Sequence, residues 1–167
     1  MCSTEIIMSR SGITISYRNP TPEEMDQVYL MGFDVWGECT DEVSYLQFCR
    51  GSKKYERGDW RVLEAEGTLV SSLIIFRGEW GLKPGYMGIG SVCTVPSHRG
   101  RGYASALLKR CISELKESGG KGVYLFSDID PKMYQRLGFN LVKDYESEGM
   151  MFLFLSSGLQ SIQPSYF

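Results

Sequence analysis

The sequence holds a single histidine, His98, and no Cys-x-x-Cys pair. Zinc and most transition-metal sites draw on imidazole or clustered thiolates, so these residues offer no metal site. The five cysteines, Cys2, Cys39, Cys49, Cys93 and Cys111, are odd in number and lack paired spacing. That argues against a disulfide framework and implies reduced thiols in a cytoplasmic setting. No long apolar run is present, so neither a membrane-spanning helix nor a membrane partner is expected. Residues 1–10 carry Glu5 and no extended apolar core, so they do not read as a signal peptide. Nor does one sign of charge dominate: the net charge is −2, and nucleic acid is not an expected partner.

What is present suits a folded core. The hydrophobic fraction is 43% and the aromatic fraction 13% over 167 residues, enough for one domain spanning 1–167, with 1–10 and 156–167 read as loose termini. Ile13 to Arg18 alternates as a half-buried strand does. Thr21 with Glu24 three residues on, and Pro22 between, predicts a capped helix start. That helix offers Met25, Val28, Tyr29 and Phe33 as its apolar face and ends at Gly37. A second helix is predicted from Thr40 to Gly51, with Val43, Leu46 and Phe48 apolar. Arg61 to Glu66 and Thr68 to Arg77 read as a hairpin across Glu66-Gly67. Gly78 to Gly85 reads as a loop. Val123 to Phe126 suits a buried parallel strand, and Asp130 caps a short helix begun by Pro131. Asn140–Tyr145 and Met150–Leu155 read as a closing hairpin across Glu146–Gly149.

The most informative stretch lies between Gly88 and Ser118. An apolar run ends in Val92, Cys93, Thr94 and Val95, and Pro96 stops it because proline lacks the N–H that a ladder needs. Arg99-Gly100-Arg101-Gly102-Tyr103-Ala104 follows as a glycine-rich turn. Ala104, Leu107, Leu108, Cys111 and Leu115 then recur at helical spacing. Strand, small-residue turn, helix is a geometry that presents free N–H groups and a positive dipole end to an anion such as a phosphate. His98, Arg99, Arg101, Lys109 and Arg110 add a basic strip suited to a small polyanion. The turn is not a P-loop, which ends in Gly-Lys-Ser/Thr, and not a dinucleotide fingerprint, which needs a third glycine where Ser105 stands.

Arg99-x-x-Gly102-x-Ala104 resembles the coenzyme A signature of the GNAT superfamily of N-acetyltransferases, (Gln/Arg)-x-x-Gly-x-(Gly/Ala). Met133-Tyr134-Gln135-Arg136-Leu137-Gly138-Phe139 resembles a second element of that family, in the expected order and distance. The predicted elements, β-α-α-β-β-β-α-β-α-β-β, also look like that fold over nearly the whole chain. The resemblance implies an α/β (α+β) architecture: a mixed, mostly antiparallel central sheet with a splayed parallel strand pair, flanked by helices on both faces. It implies acetyl-CoA as co-substrate and no metal. Backbone atoms of Val92, Cys93 and Thr94 are then expected to bond the pantetheine arm as an added strand does. Amides from Gly100 through Arg101, Gly102, Tyr103 and Ala104 to Ser105 are expected to hold the pyrophosphate. Arg99 either organises the loop or pairs with phosphate. Ser127 stands where relatives place a polar pantetheine contact, commonly asparagine.

The same resemblance implies that Tyr134 protonates the departing thiolate. A phenol's reference pKa near 10 lets it keep that proton at neutral pH. An alkyl ammonium, with a reference pKa of about 10.4, costs about 4.6 kcal/mol to deprotonate at pH 7. Many relatives place a glutamate early in the strand before the turn, but Tyr86-Met87-Gly88-Ile89-Gly90 holds no carboxylate. Glu79, Asp34, Glu38 and Asp128 remain as candidate bases, directly or through water. Cys93 reads as a buried structural cysteine, since no second histidine accompanies it. The region Asp34 to Tyr55, with Trp36, Glu38, Tyr45 and Lys54, corresponds to the part that shapes the acceptor pocket in such proteins. Direct acetyl transfer to a primary amine is the leading expectation, with a longer acyl group as a near variant. A non-catalytic acyl-CoA sensor or interaction module of the same fold is the alternative. A small-molecule amine and a protein amine both stay open as acceptor, as does a homodimer.

Overall fold

The computed structural model describes residues 5–8, 14–38, 41–142 and 149–155. Its strands form an eight-stranded sheet in the order β1-β2-β3-β4-β5-β6-β8-β7. In chain order β1 is Glu5–Met8, β2 Thr14–Arg18, β3 Asp59–Ala65, β4 Thr68–Arg77 and β5 Tyr86–Thr94. Strand β6 is Gly122–Phe126, β7 Asn140–Leu141 and β8 Met150–Phe154. The helices are α1 Met25–Leu30, α2 Phe33–Trp36, α3 Glu42–Gly51, α4 Lys53–Arg57, α5 Tyr103–Glu117 and α6 Lys132–Gln135. The sheet is mixed: β1–β2, β2–β3, β6–β8 and β7–β8 pair antiparallel, and β5–β6 pairs parallel. Consecutive residues of β4 from Leu69 to Phe76 are all buried. Neighbouring strand residues point to opposite faces, so both faces of β4 are covered.

The chain falls into two compact units, one of Met1–Ile74 with Ser91–Leu107, the other of Ile75–Gly90 with Leu108–Phe167. In the first, Thr21 donates its N–H to the Glu24 carboxylate at 2.7 Å, and Pro22 opens a 3-10 turn that leads into α1. Glu66 and Gly67 take φ values of 51° and 77° between β3 and β4, the double left-handed pair of a type I′ hairpin. Asp41 caps α3, its carboxylate accepting the N–H groups of Val43 and Ser44 at 3.0 Å each. Thr40, the residue expected at that start, lies outside the described residues.

The buried stripe of α3 is Tyr45 and Cys49, spaced i and i+4, whereas Val43 and Phe48 are 65% and 71% exposed. The apolar face expected of this helix is therefore corrected, because two tertiary anchors outweigh the apolar count. Glu5–Met8, expected within a loose terminus, instead pairs antiparallel with β2 from Glu5↔Tyr17 to Met8↔Thr14. The helix α4 was not expected at all.

In the second unit, the parallel register runs from Tyr86↔Gly122 to Ile89↔Leu125, whereas β5 itself continues to Thr94. Tyr124 and Phe152, 4.4 Å apart between ring centroids, join β6 to β8. Gly122 is the first residue of β6. The Asp130 carboxylate accepts the Lys132 N–H at 3.0 Å, as expected of an acid at the start of α6. Asn140 pairs with Phe152 and Leu141 with Met151, so the closing strands do meet, with β8 inserted between β7 and β6. Residues 143–148 and 156–167, which include parts of the expected hairpin and tail, lie outside the described residues.

Candidate active site

Strand β5 does not run straight to its end. Ser91 has a φ of 46°, a left-handed conformation that costs a non-glycine residue strain and marks a local break in the ladder. Beyond it, Ser71 on β4 holds the strand: its hydroxyl donates to the Cys93 carbonyl at 2.5 Å and lies 3.0 Å from the Thr94 hydroxyl. Val95 donates its N–H to the Val70 carbonyl, and Pro96–His98 then forms a 3-10 turn.

Arg99 braces the turn. Its Nε donates to the Thr94 carbonyl at 2.9 Å, and its two terminal nitrogens donate to both oxygens of Asp34 at 2.7 and 2.8 Å. Of the two roles read for Arg99, loop organisation is the one this geometry serves. Asp34 loses its standing as a candidate base for the same reason. The Arg99 guanidinium holds its carboxyl below the usual carboxylate range, which makes it a poorer proton acceptor.

Gly100 and Gly102 follow with φ of 75° and 84°. A side chain is disfavoured there by backbone sterics alone, yet a Cβ at either position would meet nothing within 4 Å. The glycines thus give an open approach to backbone N–H groups at the start of the 15-residue α5, the cradle a phosphate needs. The side chain of Tyr103 is buried beside His98, so only its backbone can serve a ligand. Ala104 and Ser105 lie in the first turn, whose N–H groups have no intrahelical acceptor. Arg101 is exposed, with no ion-pair partner among the described residues. The basic strip is interrupted: Arg99 is taken by Asp34, and Arg110 lies 3.6 Å from Glu117.

The remaining expected residues fare unevenly. The carbonyls of Cys93 and Thr94 already accept from Ser71 and Arg99, which leaves Val92 with no side-chain partner among the described residues. Ser127 uses its hydroxyl to donate to the Ile129 carbonyl at 2.7 Å and its N–H to donate to Gly149 at 2.9 Å. Both of its donors are thus already engaged, one in its own turn and one at the residue before β8. Tyr134 is 6% exposed in α6, edge-on to Phe139 at 6.1 Å. Burial pushes the Cys93 thiol up to about 12, so it stays protonated and unreactive at neutral pH, as its structural reading requires.

A cavity opens in the first unit, with about 200 Å³ of free space counted out through its mouth. Val28, Tyr29, Gly32, Trp36, Tyr45, Tyr55, Trp60, Ser72, Ser91 and Cys93 line it. Tyr29 and Tyr55 stack at 5.7 Å, and Trp60 meets both edge-on at 5.8 and 5.3 Å. Trp60 donates its indole N–H to the Tyr55 carbonyl at 3.2 Å. The Ser91 hydroxyl lies 3.4 Å from the Tyr55 hydroxyl. The Trp36 ring lies directly on Gly32, where a Cβ would sit 2.3 Å from it. Burial raises the pKa of Tyr29, Tyr45 and Tyr55, so all three phenols are neutral. None of Asp34, Glu38, Glu79 and Asp128 lines this cavity.

Sequence reasoning had marked Trp36, Tyr45 and Tyr55 but missed Tyr29, Trp60, Ser72 and Ser91 as parts of one site. The available signal was Ser71-Ser72, a polar interruption in the apolar run Leu69–Phe76. Among the described residues, no helix is long and apolar enough to cross a membrane, and no group of three or more His, Cys, Asp or Glu could hold a metal.

Comparison with known proteins places the fold. No curated protein sequence gives a significant match. A GNAT family acetyltransferase from Brucella melitensis in complex with acetyl-CoA superposes with a TM-score of 0.61 at 18% identity, over 92% of this chain and 96% of that one. The ribosomal-protein-S18-alanine N-acetyltransferase from Escherichia coli gives 0.64 at 18% identity, over 92% and 99%. The GNAT family N-acetyltransferase YhbS from Escherichia coli, in complex with CoA, gives 0.65 at 16%, over 86% and 83%. These likenesses establish the fold, including the mixed sheet with its parallel pair. The family model of the acetyltransferase (GNAT) domain matches residues 16–142 and so runs through both units. With that match over most of its length, the chain belongs to the GNAT acetyltransferase family.

Proposed function

We propose that the protein moves the acetyl group of acetyl-CoA to a primary amine while both are bound. The observation that carries this reading is the open glycine turn at the head of α5, with Gly100 and Gly102 left-handed and nothing within 4 Å of either missing Cβ. The N–H groups from Gly100 to Ser105 hold the pyrophosphate, and the positive end of α5 adds about 0.3–2 kcal/mol. Arg101, exposed beside them, answers the remaining phosphate charge. Arg99 acts through the loop, tying it to Thr94 and Asp34. Val92 offers backbone atoms to the pantetheine arm, and Cys93 and Thr94 offer what Ser71 and Arg99 leave of theirs.

Acetyl-CoA supplies an activated thioester, so the amine nitrogen forms the C–N bond as the C–S bond breaks. Tyr134 gives its phenolic proton to the departing thiolate. With no carboxylate lining the cavity, water takes the proton that the amine loses. Calorimetry with CoA and acetyl-CoA, together with thiol release over a panel of amines, tests the proposal. Binding in the micromolar range and amine-dependent thiol release are expected; no affinity at millimolar CoA overturns it.

The carboxylate-free cavity also favours a second reading, a sensor that binds acyl-CoA without turning it over. Binding with no thiol released over long incubation selects that reading. Comparing acetyl-CoA with butyryl-CoA as donors settles the length of the acyl group.

A further inference from the structure

We infer that the aromatic cavity seats the amine end of an unbranched chain, a –CH2–NH2 group with no acidic group beside it, and that the Ser72 hydroxyl is its hydrogen-bond partner. This rests on the acetyl-transfer reading and names the acceptor class for it. Three observations converge.

The first is an orphan. Ser72 is 1% exposed and lines the cavity, yet its hydroxyl has no hydrogen-bond partner among the described residues. Its neighbour Ser71 is fully engaged with Cys93 and Thr94. A buried hydroxyl without a partner is destabilising, and a ligand that bonds it recovers that loss.

The second is charge. No Asp, Glu, Lys, Arg or His lines the cavity, and its tyrosines and Cys93 are neutral at physiological pH. A carboxylate brought inside would lose its hydration and find no counter-charge. An amine, in contrast, meets a lining rich in aromatic rings, Tyr29, Tyr55 and Trp60 among them, and such rings attract an ammonium or a polarised N–H. Once it is desolvated there, its proton is also more easily lost, in a site that holds no carboxylate to take it.

The third is size. Inside its mouth the cavity has room for about one water-sized group. The nitrogen of a primary amine fits such a slot, with its CH2 in the mouth. An amine on a branched carbon, as in an α-amino acid or a protein N-terminus, brings a further substituent for which a slot of this size leaves no room.

The wall that carries Ser91 and Cys93 is the same β5 that runs on to the glycine turn.

The test uses the whole protein. Trp36 and Trp60 line the cavity, so n-propylamine, isopropylamine and glycine are titrated against intrinsic tryptophan fluorescence, and thiol release from acetyl-CoA is followed separately. A lysine-containing peptide with a blocked N-terminus runs beside them, to tell a small amine from a protein side chain as the source of the group. At least tenfold tighter binding and tenfold higher kcat/KM are expected for n-propylamine over isopropylamine and glycine. Ser72→Ala is expected to raise the KM for n-propylamine about tenfold, to leave kcat within twofold and CoA affinity unchanged, and to leave the apo-protein's Tm unchanged or higher. A purely structural serine would lower the Tm and leave KM alone.

Equal use of the three amines, no fluorescence response to n-propylamine, or a Ser72→Ala KM within twofold of the parent overturns the inference. If Ser72→Ala does not fold, the amine preference of the unaltered protein decides alone. A fluorescence response to n-propylamine with no thiol release keeps the cavity assignment and defeats the transfer reading. Thiol release without amine preference does the reverse.

Discussion

The glycine turn and the aromatic cavity are served by one strand, and they recognise by opposite means. The turn works through backbone: left-handed Gly100 and Gly102 bare a row of N–H groups, and an exposed Arg99–Asp34 pair steadies them. The cavity works through side chains, five of them aromatic, with no formal charge and one unsatisfied hydroxyl. On the proposed reading the first takes an anion, and the second offers an anion no counter-charge. The lesson is that an anion site needs few atoms in an unusual conformation, since partial charges act at a distance. An uncharged site needs enclosure, and enclosure takes many segments. Perturbations of the two should therefore separate: changes in the turn act on CoA, and changes in the cavity act on the acceptor.

The largest separation is expected from Gly102→Val. A β-branched residue at a φ of 84° is strained by about 1–2 kcal/mol, and its side chain enters the open approach to the N–H groups. CoA affinity should fall about 100-fold by calorimetry, with the fluorescence response to n-propylamine kept. Loss of both together would mean that the two regions fold as one and would end the comparison.

Tyr134 lies in neither region. Tyr134→Phe should cut turnover at least about tenfold and leave the affinities for CoA and amine nearly intact. Unchanged turnover removes its role as acid and leaves a tyrosine packed on Phe139.

Gly32→Ala probes the cavity alone. The added methyl falls 2.3 and 2.5 Å from two atoms of the Trp36 ring, and that side chain, 39% exposed, has room to swing outward. The mouth should widen, with the preference for n-propylamine over isopropylamine falling several-fold and CoA affinity unmoved. An undiminished preference would show that Trp36 does not set the width.

The same contrast explains what could be read in advance. The turn is contiguous, and each of its residues constrains the next, so Arg99-x-x-Gly102-x-Ala104 is visible in six consecutive residues just after Pro96. The Thr21–Glu24 capping pair is visible for the same reason, since its reach is three residues. The cavity draws on α1, α2, α3, α4, β3, β4 and β5, and no local pattern records that Tyr29, Tyr55 and Trp60 share a wall. Tyr45 and Cys49 were passed over as the buried stripe of α3 because Val43 and Phe48 are more apolar in sequence. Burial in a short helix is decided by what packs against it. Ser72 was legible only as an oddity, a second serine in a buried strand, and its missing partner appears only once Ser71 is seen to have two.

The smallest effect should come from the pair that braces the turn. Asp34 and Arg99 are both exposed, and exposed ion pairs are typically worth about 0–1 kcal/mol, so Asp34→Asn should weaken CoA binding by no more than about fivefold. The pH dependence gives the sharper reading. Arg99 lowers the Asp34 pKa below its ordinary value, so the carboxylate is ionised and paired throughout the neutral range. Its contribution is full above the ordinary carboxylate range and is lost as the pH falls through the lowered value. The ratio of CoA affinities between the unaltered protein and Asp34→Asn should thus be constant from pH 8 down to about 5 and approach one in stronger acid. High salt should shrink that ratio, because the pair is open to solvent. The n-propylamine response should be the same in both proteins at every pH at which they fold, since no lining residue is charged. A ratio of one already at pH 7 would show that the turn holds its shape through Gly100, Gly102 and the Arg99–Thr94 bond alone, and that the acid contributes nothing to it.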